Sequence, residues 1–182
     1  RRTYGGKFDD EAEDIIQTQD GGFAIAGSSE SFQGRAQYDF YMVKTDSKGR
    51  KQWDFGAGGN YDEKCYSIIQ TDDGGYLLAG STITYGARGN DFWVVKVNSD
   101  GNKTWTKAYG GDGDDICRSI IKTDDGNYLL AGLLGAGSVA TACALWRRFS
   151  QGHAWHSPEF CRGGGSASRH DPGRCHGCWQ YP

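Results

Sequence analysis

The amino-acid sequence predicts an all-β fold built from a unit of about 52 residues that is repeated along the chain. Its 182 residues include 29 Gly but only 3 Pro, together with 10 Tyr, 8 Phe and 6 Trp. This composition is typical of short aromatic-rich strands joined by tight turns. No stretch shows a sustained helical period, so the sequence predicts strands throughout the repeated part.

The repeat is clearest in one hairpin motif. TDDGGYLLAG at residues 71–80 returns as TDDGNYLLAG at 123–132, and a looser version, TQDGGFAIAG, occupies 18–27. Residues 67–82 and 119–134 are identical at 12 of 16 positions. Chance does not supply that identity, so the chain contains true internal repeats.

Each repeat is expected to contain four strands. In the second repeat they are residues 65–71, Tyr76–Thr82, Asp91–Val97 and Lys103–Tyr109. An Asp-Gly turn joins the first two strands, because Gly adopts the positive φ that a tight hairpin needs. Gly49 and Gly101 are expected to take the same conformation in the turn before the fourth strand.

The apolar pattern of the strands distinguishes between possible all-β architectures. YLLAG and FWVV are apolar at consecutive positions, which predicts sheets that are covered on both faces. A two-sheet sandwich leaves one face of each sheet in water and would show alternation. A radial stack of four-stranded sheets covers both faces, and propeller repeats have periods of roughly 40–50 residues. We therefore predict β-propeller blades.

Two tryptophan-containing turns support this architecture by resemblance. DSKGRKQW, which ends at Trp53, and NSDGNKTW, which ends at Trp105, resemble the signature by which quinoprotein propellers dock one blade on the next. Lys48 and Asp100 stand where that signature has Thr, and Asn98 replaces Asp, so no quinone cofactor is implied.

The whole repeat also carries a resemblance. YGG…DD…SIIQTDDGGYLLAG…DFWVVK…DGN…W resembles the repeats of secreted bacterial and archaeal β-propeller proteins, over residues 4 to about 133. That resemblance implies an extracellular or cell-surface setting, and it implies no particular reaction.

The repeats are too few for a closed propeller. Residues 1–133 are expected to hold about two and a half four-stranded antiparallel blades, with units at about 11–63 and 64–115 and a partial one at 116–133. Closed propellers typically need 4–8 blades. Three explanations stay open: the chain is a piece of a longer one, copies associate to close a ring, or residues 134–182 cover the open end.

Residues 134–182 form an atypical tail, rich in Gly, Arg, Cys and His, which we expect to be irregular. The abrupt change after Leu134, where a DFWVVK strand is due, favours a segment translated out of frame or derived from cloning sequence. The alternatives are a native disordered tail and a zinc site with Cys-x-x-Cys spacing. The zinc ligands would be Cys161, His170, Cys175 and Cys178.

An acidic pair follows each Gly-Gly step of the repeat. Its first members, Asp9, Asp62 and Asp114, could form a ring of carboxylates that binds a ligand at one end of the blades. GGDGDDIC fits the calcium nonapeptide pattern, so Asp112, Asp114 and Asp115 are candidate Ca²⁺ ligands. The other interpretation is that all these acids are solvated turn residues before a strand.

Cysteine and aromatic positions repeat as well. Cys65 and Cys117 lie one repeat apart and are expected to be small buried hydrophobes, with a disulfide between neighbouring blades as the alternative. Tyr41 and Trp93 occupy matched positions, where packing between blades competes with a ligand-stacking surface.

The repeats lack the residues of the common catalytic sets. Residues 1–133 contain no His, which excludes a Ser-His-Asp triad or a His-ligated metal there. The sequence favours a non-catalytic structural or binding module of a secreted or cell-surface β-propeller protein, with loops 28–38 and 82–90 contacting an unknown protein or carbohydrate. The alternatives are a fragment of a propeller-fold enzyme, such as a carbohydrate-active one, and an oligomer that closes its ring through open blade edges.

Charge and hydropathy exclude two further classes of partner. The net charge of −3 does not indicate the excess of positive charge that binds nucleic acid. No apolar run approaches the roughly 18–20 residues that span a bilayer. The sequence therefore predicts no nucleic-acid partner, no membrane span and no cofactor other than the Ca²⁺ considered above.

Overall fold

The computed structural model describes residues 1–32 and 37–135, and the backbone of three further strands at Thr141–Trp146, Glu159–Cys161 and Cys178–Trp179. The described residues form β-strands and turns, with no α-helix among them. Every pair of neighbouring strands is antiparallel. The predicted all-β class is confirmed.

The first two sheets each contain four strands that follow one another in chain order. The first sheet consists of β1 (Asp10–Gln17), β2 (Phe23–Ser29), β3 (Asp39–Thr45) and β4 (Lys51–Ala57). The second sheet consists of β5 (Glu63–Gln70), β6 (Tyr76–Thr82), β7 (Asp91–Val97) and β8 (Lys103–Tyr109). The last three strands of the second sheet have the predicted bounds, whereas β5 begins two residues before the predicted start at Cys65.

The third sheet extends into the segment that was expected to be irregular. It consists of β9 (Ile116–Lys122), β10 (Tyr128–Leu133), β11 (Thr141–Trp146), β12 (Glu159–Cys161) and β13 (Cys178–Trp179). The expectation is wrong for these strands, because β11 pairs with β10 along its whole length. An unpaired β10 would expose a row of N–H and C=O groups at its edge, and the following residues satisfy them.

Glycine turns set the register of the hairpins. Gly21, Gly74 and Gly126 have φ of 79°, 76° and 79° in the three Asp-Gly turns. Gly49 and Gly101 have φ of 70° and 85° in the turns before β4 and β8. The predicted left-handed turn positions are therefore confirmed.

Two apolar layers separate the three sheets. The first layer joins Phe40 and Met42 of the first sheet to Leu78 and Val95 of the second. The second layer joins the other face of the second sheet to the third, through residues such as Leu77. Consecutive residues of β6 thus enter opposite layers, and every residue of β6 and β7 is buried. The prediction of a sheet covered on both faces is confirmed for the second sheet.

The described sheets are open, and none of them closes on itself. The second sheet lies between the first and the third, so the three are stacked in chain order. In each of the three sheets, the loop that leads into the first strand lies at the same end as the loop between the second and third strands. We call this end the loop end. No helix in the described part of the chain is long and apolar enough to cross a membrane.

Candidate functional site

The first acid of each repeated pair lies at the loop end. The Asp62 carboxylate accepts a hydrogen bond from the N–H of Tyr38 at 3.1 Å. The Asp114 carboxylate accepts from the backbone and side-chain amides of Asn90 at 3.0 and 2.9 Å. Both acids therefore tie the start of one sheet to a loop of the sheet before it. Asp9, at the matching place in the first sheet, is exposed.

The second acid of each pair closes its own entry loop. It accepts the N–H of the glycine four residues before it in all three repeats: Gly6 to Asp10 at 2.7 Å, Gly59 to Glu63 at 2.6 Å and Gly111 to Asp115 at 2.8 Å. Glu63 is fully buried and also accepts from the hydroxyl of Thr82 at 2.9 Å. These carboxylates replace the backbone partners that an irregular loop lacks.

The candidate Ca²⁺ ligands do not form a cluster of free carboxylates. Asp112 is exposed, while Asp115 is buried and also accepts the N–H of Gly135 at 2.9 Å. The hydrogen bonds from Asn90 lower the pKa of Asp114. Within residues 1–32 and 37–135, no group of three or more His, Cys, Asp and Glu side chains is placed to hold a metal ion. Calcium binding stays a prediction.

Two further buried acids lie at the junctions between sheets. Asp39 and Asp91 begin β3 and β7, and both are almost fully buried. A Cβ added to Gly110 would collide with the carboxylates of both Asp91 and Asp115, which shows how closely these two acids approach. Burial raises the pKa of Asp91, and the charge of Asp115 raises it further. The Asp-Phe dipeptide that begins both β3 and β7 was the available sequence signal.

A buried lysine, whose role was not predicted from the sequence, anchors the hairpin formed by β1 and β2. The ammonium of Lys44 lies 2.8 Å from the Asp20 carboxylate and donates to the carbonyl of Thr45 at 2.9 Å. The hydrogen bond from Lys44 to Asp20 makes the largest contribution to lowering the pKa of Asp20. With the bonds from Thr18 and Gly22, it lowers that pKa to about 2. The available signal was a single lysine at the end of an otherwise apolar strand.

The second sheet repeats this arrangement. Lys96 is buried and donates to Asp73 at 2.9 Å and to the hydroxyl of Thr71 at 2.7 Å. Burial raises the pKa of Asp73, but hydrogen bonds from Thr71, Lys96 and Gly75 outweigh it and lower the pKa to about 2. Both lysine–aspartate pairs belong to the fold, because each of them joins a hairpin turn to the third strand of its own sheet.

The two matched aromatic residues differ in their surroundings. Trp93 is 2% exposed, and its ring is covered by Phe40 at 4.5 Å and by Tyr85 at 5.4 Å between ring centres. Packing therefore accounts for Trp93, which has no open face for a ligand. Tyr41 is half-buried and donates its hydroxyl to Asp54 at 2.7 Å. Burial, together with this bond to Asp54, raises the pKa of Tyr41.

Exposed aromatic rings at the loop end are the feature that sequence reasoning missed. Phe8 and Tyr61 are 47% and 58% exposed, at matching places two residues after a Gly-Gly step. Tyr85 is 41% exposed and lies in the loop between β6 and β7. We call Phe8, Tyr61 and Tyr85 the loop-end aromatics. An aromatic residue in a short loop with no apolar neighbours was the available signal.

Hydrogen bonds fix the backbone at Phe8 and Tyr61, whereas Tyr85 is held by its side chain. The N–H of Tyr61 donates to the hydroxyl of Thr84 at 3.1 Å, and that of Phe8 donates to Ser31 at 2.8 Å. The hydroxyl of Tyr85 donates to the carbonyl of Gly58 at 3.2 Å, while one face of its ring stacks on Trp93. The loop end therefore presents three aromatic side chains to solvent, and the ring of Tyr85 is held in place.

The cysteines of the repeats are buried thiols. Cys65 and Cys117 are fully buried and free, so the predicted packing role is confirmed and no disulfide joins them. Burial raises both thiol pKa values, that of Cys117 to about 12. A thiol with so high a pKa stays protonated near neutral pH and is a poor nucleophile.

The zinc candidates fall in the last part of the chain. Cys161 and Cys178 are register partners in the pairing of β12 with β13. His170 and Cys175 lie outside the described residues, so the zinc site stays a prediction. No protein-family model matches the chain, and no curated protein was found to match it.

Proposed function

We propose that the chain consists of β-propeller blades and acts as a non-catalytic binding module that holds a carbohydrate at its loop end. The blade arrangement is supported by the stacking of successive antiparallel sheets and by Trp53. The ring of Trp53 packs edge-on against Tyr76 of the next sheet at 5.9 Å. This is the role that the turn-plus-tryptophan resemblance assigns to it.

The loop-end aromatics carry the binding proposal. Aromatic rings stack on the apolar C–H faces of sugars, and a ring held before binding loses less conformational entropy. Tyr85 is held by Trp93 and by the carbonyl of Gly58, and it still exposes 41% of its surface. Phe8 and Tyr61 occupy matching places in the first two sheets, while the third repeat has Gly113 there, and two equivalent rings suit a ligand with repeated units. A polysaccharide is therefore the favoured ligand.

The acids of the repeat favour binding over catalysis. A pair of catalytic carboxylates must face the substrate. Here Asp62 and Asp114 accept backbone amides at the junctions between sheets, and Glu63 is fully buried. A secreted or cell-surface protein, as the resemblance implies, is a setting in which polysaccharides are available.

Affinity electrophoresis against a panel of soluble neutral and acidic polysaccharides tests this function, followed by calorimetry on the best ligand. We expect retardation by at least one polysaccharide, and Tyr61→Ala should weaken binding by roughly 2- to 10-fold, the value of one stacked ring. Tyr66→Ala is the matched control, because Tyr66 lies on β5 and its ring contacts Arg118. Absence of retardation across the panel, or equal binding by Tyr61→Ala, would contradict the proposal.

A further inference from the structure

The outer face of the first sheet matches, position by position, a face that is buried in the second sheet. Ile15 is 60% exposed, whereas Ile68, one repeat later, is 1% exposed. Phe23 and Ile25 are half-buried, while their counterparts in β6 are fully buried. We call Ile15, Phe23, Ile25 and Tyr41 the open first face.

The third sheet leaves the opposite face open. Ile121 and Leu133 are each 51% exposed, and Leu129 and Ala131 are half-buried. The matching residues of the second sheet, such as Leu77, are buried in the layer against the third sheet. We call Ile121, Leu129, Ala131 and Leu133 the open last face.

The two interfaces within the chain show which faces fit together. In both interfaces, two faces meet. One belongs to the earlier sheet and is equivalent to the open last face, and the other belongs to the later sheet and is equivalent to the open first face. Ile16 of the first sheet packs in the same layer as Ile68, and Ile69 packs in the same layer as Ile120. Ile121 and Ile15 are the corresponding residues of the two open faces.

We propose that a second copy of this chain docks head to tail, with its open last face against the open first face. This inference rests on the blade arrangement proposed above. Such a contact joins two different surfaces, and contacts of this kind form either rings or open filaments. Two copies contribute six described sheets, which lies within the 4–8 blades of closed propellers. A closed dimer therefore buries both apolar faces of every copy.

Polar groups at the edge of the open first face support the same partner. Asp62 and Asp114 accept amides from the preceding sheet, and the exposed Asp9 offers the same acceptor. Gln70 accepts the N–H of Gln19 in the preceding sheet at 2.8 Å. Gln17, which matches Gln70, is exposed. The open first face thus has the polar as well as the apolar features of an interface between sheets.

Sedimentation velocity of the full chain over a range of concentrations tests the proposal. We expect a dimer that dissociates on dilution, and we expect Ile15→Lys alone and Ile121→Asp alone to be monomers. Both residues are exposed in the single copy, so these substitutions remove little packing from the fold. Mixing the two variants should restore a dimer, because one interface then joins opposite charges and the other is native. Ile83→Lys, an exposed residue at the loop end, is the control and should dimerise normally.

Three outcomes would overturn the proposal: a monomer at every concentration, dimers formed by Ile15→Lys alone, or a mixture that stays monomeric while circular dichroism shows both variants folded. Filaments that Ile15→Lys abolishes would still support the head-to-tail contact. A monomer that binds polysaccharide would overturn this inference alone. A dimer that binds no polysaccharide would overturn only the proposed ligand.

Discussion

The first and second sheets have nearly the same sequence pattern and strand order but differ in burial. Every residue of β6 and β7 is buried, because the second sheet has a neighbour on each face. In β1, by contrast, no residue is buried, whereas four of the eight residues of the matching strand β5 are buried. The comparison teaches that burial in a stacked repeat is set by the neighbouring sheet and not by the residue type.

The largest expected effect compares matched isoleucines. Ile68→Ala should lower the free energy of unfolding by about 2–5 kcal/mol, because it leaves a cavity between two sheets. Ile15→Ala should change it by at most about 0.5 kcal/mol in the monomer, because Ile15 already contacts water. Urea denaturation of dilute protein measures both values. Equal losses would show that the first sheet is covered in solution by something other than a dissociable copy.

A smaller effect is expected from acid, acting on the lysine–aspartate pairs of the first two sheets. The pKa values of Asp20 and Asp73 are lowered to about 2. Their contribution to stability is therefore present above the unfolded pKa of about 4 and is lost as the pH falls towards 2. Melting temperatures between pH 5 and pH 2 measure this loss.

The lysine variant sharpens that measurement. Lys96→Met should cost about 1 kcal/mol near neutral pH, since Asp73 is largely exposed and water screens the pair. It should also make the acid dependence shallower, because Asp73 loses one of its donors. The third sheet has no lysine at the matching position. Leu145 is paired with Leu129 there, whereas Lys96 is paired with the matching Leu77 in the second sheet. An unchanged acid profile in Lys96→Met would contradict the role assigned to the pair.

The smallest effect is expected at Asp91, which begins the third strand of the second sheet. Its pKa is raised by burial and by Asp115, so the ionised form destabilises the fold above that pKa. Asp91→Asn keeps an acceptor for the N–H of Ala87 and removes the charge. We expect it to raise the melting temperature by about 1 °C at pH 7, an effect of a few tenths of a kcal/mol.

The pH dependence of the Asp91 variant provides its control. The advantage over the unsubstituted protein should shrink as the pH falls, because protonation of Asp91 relieves the same repulsion. A variant that is less stable than the unsubstituted protein at pH 7 would show instead that the Asp91 carboxylate accepts bonds that an amide cannot replace.

Local features were predicted well from the sequence. The bounds of β6, β7 and β8 and the positive φ of Gly74 follow from alternation between strand residues and turn residues within about ten positions. The burial of Cys65 was also predicted, because a small residue recurs at this position in the first strand of each repeat. Side-chain partners from other elements were not predicted, such as Asp73 for Lys96 and Tyr38 for Asp62. Those pairs depend on how strands and sheets come together in space.

The sequence by itself determined the repeat, the strands and the turns, because φ preferences and apolar periodicity act between near neighbours along the chain. Only the tertiary structure decided which of two matched residues is buried. Ile15 and Ile68 have the same local sequence signal, yet their exposed fractions are 60% and 1%. Burial is the removal of surface from water by other atoms, and for these residues the atoms belong to a neighbouring sheet.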